Sequence, residues 1–212
     1  MDVPGKIEQN QFVKRESSKR MTSKERKKQI LEVAWRLFAG ANYEVVTTKQ
    51  IARSVGVSEP VIYHYFPSKK ALYVEVLKSR REFWLNALRN VTEQFPDPFA
   101  IIMRIMETQT KNQEALDRIW DTARLVDDSG VQLELKLFYE GMFNLAVEIL
   151  EKAMGSGKIR NDLKPQGLAM LIVSLLSTGS HLAMSGLMKD GEGIYRAAVG
   201  LIEEIMRNRE QC

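Results

Sequence analysis

The segment TTKQIARSVGVSEPVIYHYF, residues 47–66, leaves this chain few ways to fold. Ile51, Ala52 and Val55 recur at helical spacing before Gly56, and Val57 and Ile62 resume the apolar pattern after it. Thr47 with Gln50 three residues on has the form of a capping box, so a helix starts there. Gly56 ends it, because glycine adopts the backbone conformation that a side chain opposes. Ser58 is placed to cap a second short helix. Pro60 falls in its first turn, where the missing amide costs nothing, and Pro67 closes it. Two short helices across a tight turn, with small Ala52 at their closest approach, form a helix-turn-helix whose second helix is a rigid probe for a major groove. Tyr63, His64, Tyr65 and Phe66 cannot all face inward in so small a unit. An ordinary helical hairpin explains that aromatic run less well.

Helical periodicity extends in both directions. Thr22 and Glu25 form a second candidate capping box, followed by Ile30, Leu31, Ala34, Leu37 and Phe38. Asn42 sits where a left-handed residue is often needed, and Tyr43 and Val46 can pack back. A long helix is expected over 68–93, capped by Ser68, with Leu72, Val76, Phe83, Leu88 and Val91 on its buried side. Pro96 and Pro98 break it. Further helices are expected at about 98–111, 113–127 and 130–155, then from Pro165 to about 188, and from about Asp190 to 208. The fold class is therefore all-α: an N-terminal three-helix domain over 22–67 that holds the helix-turn-helix, then a helical domain over 68–212. A flexible basic arm over 1–21 precedes them.

Charge supports a division of labour. Residues 1–70 hold 14 Lys/Arg against 7 Asp/Glu, and the remainder holds 17 against 20. Only the front is suited to a polyanion. Lys14, Arg15, Lys19, Arg20 and Lys24 could add backbone or minor-groove contacts. The single cysteine, Cys212, forms no internal disulfide, and residues 1–29 carry no apolar export segment, so a cytoplasmic setting is expected.

From Pro165 to Met188 no charged residue occurs, a length that could span a bilayer. Ser174, Ser177, Thr178, His181 and Ser185 nevertheless share one stripe, which suits a soluble bundle better. The last helix offers that segment one apolar stripe: Ile194, Ala198, Leu201, Ile202 and Ile205. A second copy of the pair would complete the burial. A homodimer through about 165–188 and 190–208 is expected, with no membrane partner.

The combination of Arg26, ILEVAWRLF (30–38), NYEVVTTKQIA (42–52), GVSEPVIYHYF (56–66), Lys69 and Leu72 resembles the TetR family of transcriptional regulators. The GKIRNDLKP run (157–165) is similar to that family's approach to its dimer interface. The resemblance implies a repressor of a double-stranded DNA operator. Ser58, Glu59, Pro60 and Val61 would lie at the groove-facing start of the recognition helix. Glu59 could accept from cytosine or simply complement the helix start, and Val61 could meet a thymine methyl. Lys49 would reach a base edge or phosphate. Thr47 and Thr48 would meet the DNA backbone as caps and hydroxyl donors. Tyr63, Tyr65 and adjacent His64 would donate to phosphates, and Lys69 would clamp the backbone. The family often has Gly at Asn42 and Thr at Val46, but Asn tolerates the turn and Thr47 remains as the cap.

The resemblance also implies a small-molecule cavity among the central helices. Trp84, Met103, Met106, Trp120, Phe138, Met142, Phe143 and His181 are its candidate lining, although Met and Phe at this spacing also make plain bundle core. An apolar or aromatic effector would suit such a lining. No cofactor, metal or catalytic residue is expected. His64 and His181 are the only histidines, and there is no HExxH, GxSxG or glycine-rich phosphate loop. The competing reading is a helical interaction module with a vestigial helix-turn-helix.

Overall fold

The computed structural model describes residues 21–94, 97, 100–101, 119–120, 122–179 and 189–207, and every described regular element is helical. Helix α1 spans Ser23–Gly40, α2 Thr48–Val55, α3 Glu59–Tyr65 and α4 Lys69–Gln94. Short helical stretches at 119–120 and 122–124 precede α5, Ser129–Gly155. Helix α6, Pro165–Ser174, runs on into a π-turn at Leu175–Gly179, and α7 is Gly191–Met206. The expected arm residues Lys14, Arg15, Lys19 and Arg20 lie outside the described residues, as do most of the helices expected at 98–111 and 113–127 and the end of the Pro165 helix. No described helix is long and apolar enough to cross a membrane.

Both capping boxes form. The Thr22 hydroxyl accepts from the Glu25 amide at 3.2 Å, and the Glu25 carboxylate accepts from the Thr22 amide at 2.7 Å. Thr47 and Gln50 reciprocate in the same way at 3.2 and 2.8 Å. Each box satisfies two amides that the first helical turn leaves without partners. Gly56 ends α2 at φ 79°, and the Val57 amide reaches the Ala52 carbonyl at 3.0 Å, closing the helix with a left-handed cap.

Two local expectations are corrected. Asn42 does not take the left-handed conformation, and Asp190 is the one described non-glycine residue with positive φ. Helix α1 instead ends in extended Ala41, and the Asn42 carbonyl gathers the amides of Val45 and Val46 into a turn. Ser58 occupies the N-cap of α3, but its side chain makes no capping bond. With Pro60 in the first turn one amide is already missing, so less is left for a hydroxyl to satisfy.

The front core joins α1–α4 to the segment behind them. Ile30, Ala34, Phe38, Ile51, Ile62, Leu72, Tyr73 and Leu77 are buried in one cluster with Ile119, Trp120, Ala123 and Val131. Tyr73 lies against Phe38 and Tyr43, and its hydroxyl donates to the Ile119 carbonyl at 3.1 Å. Phe83 was expected inside but is 59% exposed. It lies about one turn beyond the ion pair of Arg80 with Glu32, the last described tie between α1 and α4. Arg80 also lies over the Trp35 ring at 4.6 Å and 5.9 Å from the centroid of Phe83.

Helices α4 and α5 approach closely at Gly141, where an added Cβ would lie 2.6 Å from a Leu85 methyl. A second core forms at the rear from Leu150, Ala153, Ile159, Leu168, Ala169, Ile172, Leu176, Tyr195, Val199, Ile202 and Met206. Here α7 departs from expectation. The stripe it turns inward is Tyr195, Val199, Ile202 and Met206, while Ile194, Leu201 and Ile205 are exposed. Tyr195 and Met206 bring more apolar surface to the rear core than the smaller Ala198 would, so the aromatic stripe wins the inner side.

Candidate nucleic-acid interface

Seven residues give α3 four distinct sides. Ile62 and Phe66, one turn apart, are buried and anchor it. Pro60 and His64 lie opposite and are exposed. Val61 and Tyr65 form one half-buried flank, and Glu59 and Tyr63 form the other, against the start of α2. The helix therefore projects a short ridge, Pro60–His64, from a scaffold that cannot rotate without uncovering Ile62.

The α2 side of this surface is less open than the sequence implies. Thr47 is exposed but committed to its cap, and Lys49 is exposed. Thr48 is only 6% exposed. Its hydroxyl donates to the Glu59 carboxylate at 2.5 Å and lies 3.2 Å from the Tyr63 hydroxyl. The hydroxyl expected to meet the DNA backbone is instead inside, tying α2 to α3. Glu59 and Tyr63 share a helical side at i and i+4, but that spacing alone does not bring Thr48 to them.

Lys69 is half-buried over the Tyr43 ring, 4.2 Å from its centroid, and reaches the Glu44 carbonyl at 3.4 Å. Partial burial depresses its pKa, and the nearby Glu44 charge opposes that shift. Tyr65 packs partly against the front core, and the His64 ring meets its edge at 5.2 Å. Ser58 is exposed. Of the expected DNA-contacting residues, Lys49, Ser58, Pro60, Tyr63 and His64 are openly presented.

Behind this head, ion pairs hold α4 on two sides. Lys27–Glu75, at 3.0 Å, and Arg80–Glu32 tie it to α1. Lys70–Asp128, at 3.1 Å, and Arg81–Glu134, at 2.9 Å, tie it to the α5 end of the molecule. Asp128 also caps α5 by accepting from Val131 and Gly130. The Val131 amide, then the Lys70 ammonium, hold its carboxyl below the usual carboxylate range.

The expected effector lining divides. Trp120 is buried in the front core and stacked on Phe138, with centroids 4.1 Å apart and planes 7° from parallel. Phe143 packs on the rear core. Trp84 and Met142 are half-buried on α4 and α5, next to the Leu85–Gly141 contact. Met103, Met106 and His181 lie outside the described residues. A cleft of about 470 Å³ between the head and α5, lined by Lys27, Phe66, Lys70 and Asp128 among others, contains none of the candidates.

An all-helical chain with a capped, glycine-turned helix pair at its front and a helical bundle behind defines a helix-turn-helix regulator. Residues 30–76 match the family described as bacterial regulatory proteins, tetR family. A 146-residue stretch is 30% identical to the nucleoid occlusion factor SlmA of Haemophilus ducreyi, covering 66% of this chain and 72% of that protein. The chain belongs to the TetR family of transcriptional regulators. Solved structures share the fold. A transcriptional regulator from Saccharomonospora viridis in complex with choline superposes with a TM-score of 0.78 at 20% identity, covering 88% of this chain and 100% of that one. The regulator FadR of Bacillus subtilis in complex with stearoyl-CoA gives 0.68 at 15% identity, covering 85% and 99%.

Proposed function

We propose that this protein is a homodimeric, sequence-specific DNA-binding repressor that a small, largely apolar effector releases from its operator. The outward ridge of α3, braced by buried Ile62 and Phe66 beside exposed Lys49, carries the reading. It has the width of a single short helix, which a major groove admits, and Pro60 and His64 are its forward side chains, with Val61 on the flank. Lys49 and Lys69 serve the phosphates, and residues 22–67 act as the reading unit on a regulatory part over 68–212.

The dimer face is the outer side of α6 and α7. Met170, Leu171, Ile194, Leu201 and Ile205 are all large, apolar and exposed there. A self-complementary patch of that kind is what a two-fold axis requires. Effector response is supported by the half-buried Trp84 and Met142 between the two cores, and by fold relatives whose structures hold choline or stearoyl-CoA. Binding must favour the conformation that fits DNA poorly. The likeness to SlmA favours nucleoid occlusion as a second reading.

Selection from random DNA followed by footprinting at several salt concentrations tests the reading. An imperfect palindrome is expected, with affinity falling steeply with salt. Replacing Lys49 and Lys69 by Ala should flatten the log–log salt slope by about 3 to 4 for a dimer. Recovery of no enriched site, with and without cell extract, would move the chain to the helical interaction modules.

A further inference from the structure

The hydroxyls at the α2–α3 contact have a forced direction. An ionised carboxylate only accepts hydrogen bonds, and a threonine hydroxyl has one proton. The 2.5 Å contact therefore uses the Thr48 proton on Glu59. The 3.2 Å contact to Tyr63 must then run the other way, with the phenol donating to the Thr48 oxygen. Both outer groups end up as acceptors. Tyr63, 47% exposed, has its proton turned inward and its lone pairs outward. Half-buried Glu59 has a second oxygen that Thr48 does not use. Thr48 itself is buried and touches nothing outside the protein.

We propose that Thr48 is a positioning residue for operator choice: through the chain Tyr63 to Thr48 to Glu59 it makes this flank of α3 acceptor-only. Such a flank selects a base bearing an exocyclic amine, cytosine N4 or adenine N6, at the step it faces. It disfavours guanine and thymine there, whose exposed major-groove atoms are acceptors. It also withdraws Tyr63 from the phosphate-donating role that the family resemblance gives it. Because the chain is formed without DNA, the selectivity is preorganised. The inference rests on the proposed DNA reading and names one of its specificity elements.

Random-DNA selection is run on the full-length wild type, Thr48→Val, Thr48→Ser and Glu59→Gln, with thermal melting of each. The wild type should enrich cytosine or adenine at one symmetry-related pair of positions, preferred by about tenfold over the acceptor bases. Thr48→Val should reduce that preference below about threefold while the rest of the palindrome persists, and Thr48→Ser should restore it. Glu59→Gln adds a donor and should admit guanine or thymine at the same step. The result stands even if Thr48→Val folds poorly, because the Ser and Gln variants retain a polar partner. If Thr48→Val and Glu59→Gln keep the wild-type preference at every position, the inference is overturned and the DNA reading survives. If the wild type enriches no sequence at all, the DNA reading itself is lost and the inference with it.

Discussion

Replacing Arg81 by Met tests how α4 is held to α5. Arg81 Nε donates to Glu134 Oε2 at 2.9 Å, and the two side chains are 17% and 9% exposed. Met preserves most of the stem's packing and removes the charge, leaving the Glu134 carboxylate nearly buried without its cation. Breaking a buried pair from one side costs about 3–5 kcal/mol. The residual exposure of Arg81 lets water compensate in part, so about 3 kcal/mol is expected. For a chain of this length that lowers the melting temperature by about 6–12 °C. Glu134→Leu alone should be milder, because the guanidinium left behind can turn toward solvent. The double replacement should lie within about 1 kcal/mol of the wild type, since two apolar groups leave no orphaned charge. Urea unfolding followed by circular dichroism is the assay. It avoids the screening that an ionic denaturant brings, and one protein concentration holds the dissociation of the proposed dimer constant. If Arg81→Met cost less than about 1 kcal/mol, and the single effects simply added in the double variant, the pair would be a surface ornament and the account of the α4–α5 tie would be wrong.

Gly56→Ala meets no steric obstacle, since a Cβ there has open space, but the residue sits at φ 79°. It should cost about 1–2 kcal/mol in a thermal melt. Gly56→Asn should recover much of that, because Asn tolerates left-handed backbone. Tyr73→Phe leaves the Ile119 carbonyl without its donor, and calorimetry should show a loss of about 1–2 kcal/mol. Burial raises the Tyr73 pKa, so the folded state holds that proton more tightly. Its contribution is complete below about pH 10, the unfolded tyrosine value, and is lost as pH rises above it. The Phe variant should therefore show a shallower alkaline decline. Placing Glu at Ile194 and Leu201 together should shift the proposed dimer to monomer in sedimentation at micromolar concentration, while the helical circular dichroism signal is retained.

The parts of the fold that were legible in the sequence are those set by local bonding. Thr22–Glu25, Thr47–Gln50 and Gly56 act within one turn of themselves, so spacing alone reveals them. Asn42 was misjudged because extended Ala41 ends α1 instead, an outcome that depends on where Tyr43 and Val46 must pack. Phe83 was misjudged because apolar spacing pointed it inward, whereas Trp35 is covered at this level by the Arg80 guanidinium, a contact no hydropathy pattern registers. On α7, apolar residues lie on more than one side, so periodicity could not choose between the Ile194–Leu201 and Tyr195–Val199 stripes. In the candidate interface, Pro60 and His64 were assigned to DNA through the family resemblance and not through their spacing. The burial of Thr48 was not legible, because its partners are 11 and 15 residues away and meet it only across the turn.

The front core has a consequence for how disturbance travels. Its packing runs without a break from Ile30 and Ile51 through Tyr73 to Trp120 and Val131, so no seam separates the helix-turn-helix from the start of α5. The smallest piece able to open cooperatively is therefore larger than the three front helices, and its amides should exchange with deuterium at similar free energies. A push arriving from the rear bundle meets a block that cannot soften locally. Such a push would turn the block as a unit, so the Pro60–His64 ridge of α3 would change its heading while keeping its shape.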